Sequence, residues 1–98
     1  MFLTFKYNQS FSLESGETLP GFHLGYTILG KLNAERNNVI WIFHALTANS
    51  DPSEWWAGLV GTGKLFDPED HFIVCVNMPG SCYGSIHPLD IRPGTREP

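Results

Sequence analysis

The sequence predicts an α/β protein in which antiparallel edge strands lead into parallel central strands joined by a crossover helix, on three observations. Val39-Ile40-Trp41-Ile42-Phe43 and Phe72-Ile73-Val74-Cys75-Val76 are apolar, β-branched runs without alternation, as expected of parallel strands covered on both faces. Between them Asp51-Pro52-Ser53-Glu54 offers an N-cap, a proline at the first helical position and an acid at the third, the local chemistry of a helix start. Ahead of both, Phe22, Leu24, Tyr26 and Ile28 alternate with His23, Gly25 and Thr27. That period of two reads as a half-buried strand at an antiparallel edge.

Taken in order, Phe2 to Leu13 is rich in aromatic residues and reads as extended, with a break over Tyr7-Asn8-Gln9-Ser10. Gly30 and the polar Asn33 to Asn38 end the alternating strand. In the predicted helix Trp55 lies one turn from Leu59 and Trp56 one turn from Val60, so at least one indole belongs to the core. Gly61-Thr62-Gly63 stops the helix, and a right-handed crossover then sets the two apolar strands side by side. After Val76 prolines at 88, 93 and 98 keep any helix from forming, which leaves an extended loop. One helix covers one face of such a sheet at best, so the sheet is expected to be incomplete and more protein is expected to follow.

Composition excludes several classes. The chain has 98 residues, 42% of them hydrophobic and 13% aromatic, which is too apolar for a disordered segment and enough for one small domain. A net charge of −4 without any basic cluster argues against nucleic acid or an anionic membrane as partner. No apolar run approaches the roughly 20 residues of a membrane span, and Met1 to Asn8 does not read as a signal peptide, so the expected location is the cytoplasm. Cys75 and Cys82 match neither a disulfide framework nor a zinc motif and read as reduced thiols.

In open parallel sheets ligands bind beyond the carboxyl ends of the strands, which directs attention to His44-Ala45-Leu46-Thr47-Ala48-Asn49-Ser50 and to Pro79 to Ser85. The first segment runs from a buried strand into a helix start, where free backbone N–H groups can hold a negative oxygen. His44 is a candidate general base, but with no acid or serine at a telling distance it reads instead as a packed, hydrogen-bonded residue. His23, His71 and His87 show no metal-ligand spacing and read as solvated surface. Gly80-Ser81-Cys82-Tyr83-Gly84 satisfies Gly-x-Cys-x-Gly, the cysteine form of a nucleophile elbow, yet an elbow needs a helix immediately after the nucleophile and Pro88 and Pro93 deny it. The segment therefore reads as a structural or pocket-lining loop. No Gly-x-Ser-x-Gly occurs.

Four blocks together resemble the N-terminal part of homoserine O-acetyltransferase: Leu19-Pro20-Gly21-Phe22-His23-Leu24-Gly25-Tyr26, Leu32-Asn33-Ala34-Glu35, His44 to Ser50, and Gly80 to Ser85. The resemblance covers nearly the whole chain and implies the N-terminal portion of an α/β-hydrolase fold, with residues 1–98 forming part of a single domain that stops before the nucleophile elbow. It also implies acetyl transfer from acetyl-CoA to L-homoserine through an acetylated serine, in methionine biosynthesis. Acetyl-CoA is then a co-substrate, no cofactor is bound, and the full-length protein is a homodimer. Leu46 matches the position whose backbone N–H contributes to the oxyanion hole, Thr47 borders the substrate pocket, and Ala45, Ser81, Cys82 and Tyr83 line or support it. The family's serine, aspartate and histidine map to no residue here, so the 98 residues alone are expected to be inactive. Succinyl transfer, or acetyl transfer to serine, is the alternative within the superfamily, and a noncatalytic remnant the alternative outside it. Ser85-Ile86-His87-Pro88 departs from the family's Ser-Thr-Gly-Pro, which puts the conformation of that loop in doubt.

Overall fold

In the computed structural model, which describes residues 1–91, a four-stranded mixed sheet has the order β1-β4-β6-β5. Its strands are β1 (Phe2–Tyr7), β4 (Phe22–Leu29), β5 (Val39–Ile42) and β6 (Phe72–Val76). Between β1 and β4 lies a small hairpin, β2 (Phe11–Ser12) with β3 (Thr18–Leu19). The β1–β4 and β4–β6 pairs are antiparallel, and β5 and β6 are parallel neighbours, as the two apolar runs predict. The prolines at 93 and 98 lie outside the described residues.

The strand β4 is not an edge. The aromatic N-terminal segment supplies β1, which pairs with β4 from Phe2↔Thr27 to Tyr7↔Phe22 and takes the outer position. Nor are the apolar residues of β4 its most buried: Gly25 and Thr27 are buried while Leu24, Tyr26 and Ile28 are half-buried. The register explains this, because Thr27 and Leu29 share a face with Cys75 and Ile73 of β6 and with Ile42 and Ile40 of β5. That face carries the core of Ile42, Val60, Ile73 and Cys75, against which Trp55, Leu59 and Phe66 pack.

The opposite face is open along β5, although Val74 of β6 is buried on it. Val39 and Trp41 of β5, with Phe43 just beyond, are 48%, 54% and 74% exposed, so the expectation that β5 is covered on both faces does not hold among the described residues. The strand sits at the margin of the sheet with helical cover on one side only.

The helix is shorter than the sequence predicts. Asp51 caps it as expected, accepting the Ser53 N–H at 3.1 Å, but α1 spans only Pro52–Trp55. Trp56 leaves helical geometry at φ −123°. Gly58 and Gly61 follow so closely that the backbone entropy lost in extending the helix outweighs its gain, at about 1 kcal/mol per glycine. The turn is not lost, since the Val60 N–H still reaches the Trp56 carbonyl at 2.9 Å, and Trp55 is the indole that joins the core. Gly30 closes β4 with φ +79°, and a side chain there would run into the carbonyls of His71 and Pro68.

Candidate functional site

Both loops flagged by the sequence leave the carboxyl ends of β5 and β6, so the topology brings them together. From β5 the chain runs through Phe43 and His44 into a turn in which the Ala48 N–H bonds the Ala45 carbonyl at 2.9 Å. Thr47 occupies the third turn position at φ 67°. A positive φ there alone defines a type II turn, a place that favours Gly or Asn; a β-branched residue is strained in it by about 1–3 kcal/mol. Leu46 is 93% exposed. Among the described residues its N–H and that of Thr47 have no hydrogen-bond partner.

From β6 the chain passes into Asn77, which is fully buried. The Asn77 N–H donates to the Gly25 carbonyl at 2.8 Å and its side-chain amide to the Tyr83 carbonyl at 2.7 Å. The buried Ser85 hydroxyl donates to the Asn77 carbonyl at 2.6 Å and accepts the Gly25 N–H at 3.0 Å. Gly25 is glycine because this loop comes so close: a Cβ would meet the Phe2 ring at 2.7 Å and the Gly84 backbone at 3.1 Å. The 77–85 loop is thus pinned to the sheet without regular structure of its own, and no helix follows Cys82 among the described residues.

His44 joins the two loops. Its Nδ1 lies 2.9 Å from the Ala45 carbonyl and its Nε2 accepts the Met78 N–H at 3.0 Å. Both nitrogens are taken by backbone, which matches the packed reading of this residue and leaves no free lone pair for general-base work.

A cavity of about 360 Å³ opens between Thr27, Asn49, Ser50, Asp51, Asn77 and Tyr83. Met1 and Phe2 form an apolar side of it, and the other side is polar: the Thr27 and Ser50 hydroxyls bond each other at 2.9 Å, and the Asn77 Oδ1 is buried without a partner in the described structure. Tyr83 borders this cavity. Ala45 and Cys82 stand apart from it, because the Ala45–Ala48 turn and the tip of the Gly80 loop project outward and both residues are exposed; Ser81 is half-buried, its hydroxyl without a partner among the described residues. Thr47 likewise stands outside this cavity, on the exposed turn.

A larger hollow of about 750 Å³ lies along the outer ends of β1 and β4 and contains no residue of 44–50 or 80–85. His23 and His87, which look unrelated in sequence, meet there on Asp90 at 3.8 and 3.2 Å. His87 stands where the sequence departs from the family's Gly, and the loop accommodates it: Asp90 also accepts the His87 N–H at 2.9 Å.

Cys75 is fully buried beneath the site, and burial, with Asp51 nearby, pushes its thiol up to about 11. Cys82 is free and exposed. Asn77 and Thr27 are the site residues that sequence reasoning misses, while Ser50 and Ser85 lie inside the flagged segments without a role assigned to them; the only signal for Asn77 is a carboxamide directly after an unbroken apolar strand.

The fold is that of the N-terminal portion of an α/β-hydrolase, with an incomplete sheet. A solved structure described as esterase E22 L374D mutant superposes with a TM-score of 0.86 over 100% of this chain and 31% of its own, at 24% identity, a likeness of fold alone. The resemblance to homoserine O-acetyltransferase is borne out by sequence and structure together: the homoserine O-acetyltransferase of Cyclobacterium marinum is 53% identical over 90 residues, 92% of this chain and 26% of the relative. The crystal structure of that enzyme from Bacillus anthracis matches with a TM-score of 0.88 and 29% identity, over 99% of this chain and 30% of its own. The chain spans about a quarter of the length of the curated relatives it matches. No family model matches it. No helix of the described residues is long and apolar enough to cross a membrane.

Proposed function

We propose that this chain supplies one oxyanion donor and part of the pocket wall to a homoserine O-acetyltransferase, a soluble cytoplasmic enzyme of methionine biosynthesis. The observation that carries the reading is the 53% identity to a homoserine O-acetyltransferase across 92% of the chain. In the proposed mechanism a serine, oriented by a histidine and an aspartate elsewhere in the polypeptide, takes the acetyl group from acetyl-CoA and passes it to the L-homoserine hydroxyl. Acetyl-CoA acts as co-substrate, with no cofactor bound, and the full-length protein is a homodimer. The Leu46 N–H, exposed at the carboxyl end of β5 and without a hydrogen-bond partner among the described residues, is the donor for the tetrahedral oxyanion, with Thr47 beside the substrate.

The test is acetyl transfer by the full-length protein that carries this sequence, with the product identified by mass spectrometry. O-Acetylhomoserine is expected from acetyl-CoA and L-homoserine. O-Succinylhomoserine or O-acetylserine formed at a higher kcat/KM reassigns the donor or acceptor, and no acyl product with any pair overturns the reading in favour of a noncatalytic role.

A further inference from the structure

We propose that His44 is a positioning residue that fixes the Ala45–Ala48 turn, and with it the Leu46 N–H, onto the rigid end of β6. The inference rests on the acyl-transfer reading above and assigns a role that reading does not contain.

The geometry fixes the state of the ring. A backbone N–H can only donate, so the His44 Nε2, 3.0 Å from the Met78 nitrogen, must be the acceptor. The proton then sits on Nδ1, which donates to the Ala45 carbonyl at 2.9 Å. The same carbonyl accepts the Ala48 N–H at 2.9 Å and so closes the turn. One oxygen therefore holds both the turn and its tie to the imidazole.

What lies on the far side of the imidazole is firm. Met78 follows Asn77, which is fully buried and bonded through its N–H, carbonyl and carboxamide to Gly25, Ser85 and Tyr83. What lies on the near side is strained. Thr47 at φ 67° persists only where its surroundings over-determine the conformation, and Leu46 and Thr47 themselves are exposed, with no packing to do so. Among the described residues the His44 ring makes the one hydrogen bond that joins the 44–48 segment to the 77–85 loop. An oxyanion donor works only if it is already aimed when charge develops, so a turn freed from this tie would lose transition-state stabilisation without losing ground-state binding.

The experiment compares wild type, H44A and H44Q in the full-length protein by two readouts. The first is amide hydrogen exchange at Ala48 and Met78, which needs no activity. The second is steady-state acetyl transfer. In H44A, exchange at both amides should quicken and kcat should fall about 10- to 100-fold, with KM for both substrates changed by no more than about twofold. In H44Q the side-chain oxygen can still accept the Met78 N–H, so exchange at Met78 should slow again and kcat should recover at least in part. Unchanged exchange in H44A overturns the inference, as does an unchanged kcat, or a fall in thermal stability with kcat and KM moving together and no recovery in H44Q. A wild-type protein that acetylates nothing sinks the functional reading instead, and the exchange data alone then decide whether His44 holds the turn.

Discussion

Cys75 and Cys82 are seven positions apart and chemically opposite. Cys82 stands on an exposed loop, whereas Cys75 points into the core with no exposed surface and a thiol pushed up to about 11. Only a thiolate alkylates, so iodoacetamide near neutral pH should add one label to the folded chain, on Cys82, and two to the unfolded chain; a second label at equal rate without denaturant would show that the core opens freely. The same shift has a sign in stability. The folded state keeps the Cys75 proton longer than the unfolded state, whose thiol titrates near 9.0, so this contribution is complete below that value and is lost as pH rises towards about 11. At this scale the sequence was legible where a residue's role is local. The packed role of His44 follows from its place at the end of an apolar strand. The meeting of His23 and His87 on Asp90 does not, because it depends on how a loop more than sixty residues away in sequence folds back on β4.

The elements divide along the same line. Both apolar runs are parallel strands, because continuous β-branched sequence leaves the backbone few alternatives, and the Asp51 cap starts the helix where its hydrogen bond requires. The position of β4 was not legible. Its alternation marks a strand but not its neighbours, and its more buried face carries Gly25 and Thr27 because the 77–85 loop and Ser50 cover them with matched polar groups. Ser85 is the test of that arrangement. Its hydroxyl satisfies the Gly25 N–H and the Asn77 carbonyl at once and is fully buried, so S85A leaves two polar groups without partners where water has no access. At about 1–3 kcal/mol for each group left unsatisfied, and with some relaxation, the variant should lose about 2–3 kcal/mol in urea unfolding. S85T keeps the hydroxyl but adds a methyl in a filled space, and should lie between the two. A loss below about 0.5 kcal/mol in S85A would mean that the loop is not pinned through this hydroxyl.

Across the whole molecule the packed core cluster lies on one side of the sheet, with Val74 alone buried among the strand hydrophobics of the other. The radius of gyration is 15.8 Å, against about 13 Å for a compact domain of 100 residues, and the extents of 48 × 30 × 23 Å show an elongated body. On the open side Phe5, Val39, Trp41 and Phe43 are each about half exposed or more, and three of the four lie on or beside β5, whose outer edge is unpaired among the described residues. An apolar face continuous with a free strand edge is a template for association. The 98 residues studied alone should therefore bind a hydrophobic dye such as ANS while keeping strand-type circular dichroism, and their light scattering should rise with concentration. The paired substitutions W41K and F43K place charge on that edge where the side chains already meet solvent. They should reduce both dye binding and scattering while changing unfolding free energy by no more than about 0.5 kcal/mol, the usual limit for surface positions. If instead the double variant unfolds the chain, Trp41 and Phe43 contribute to the core after all. If dye binding is absent from the start, the open face is covered in solution and the one-sided core is not the state the chain adopts.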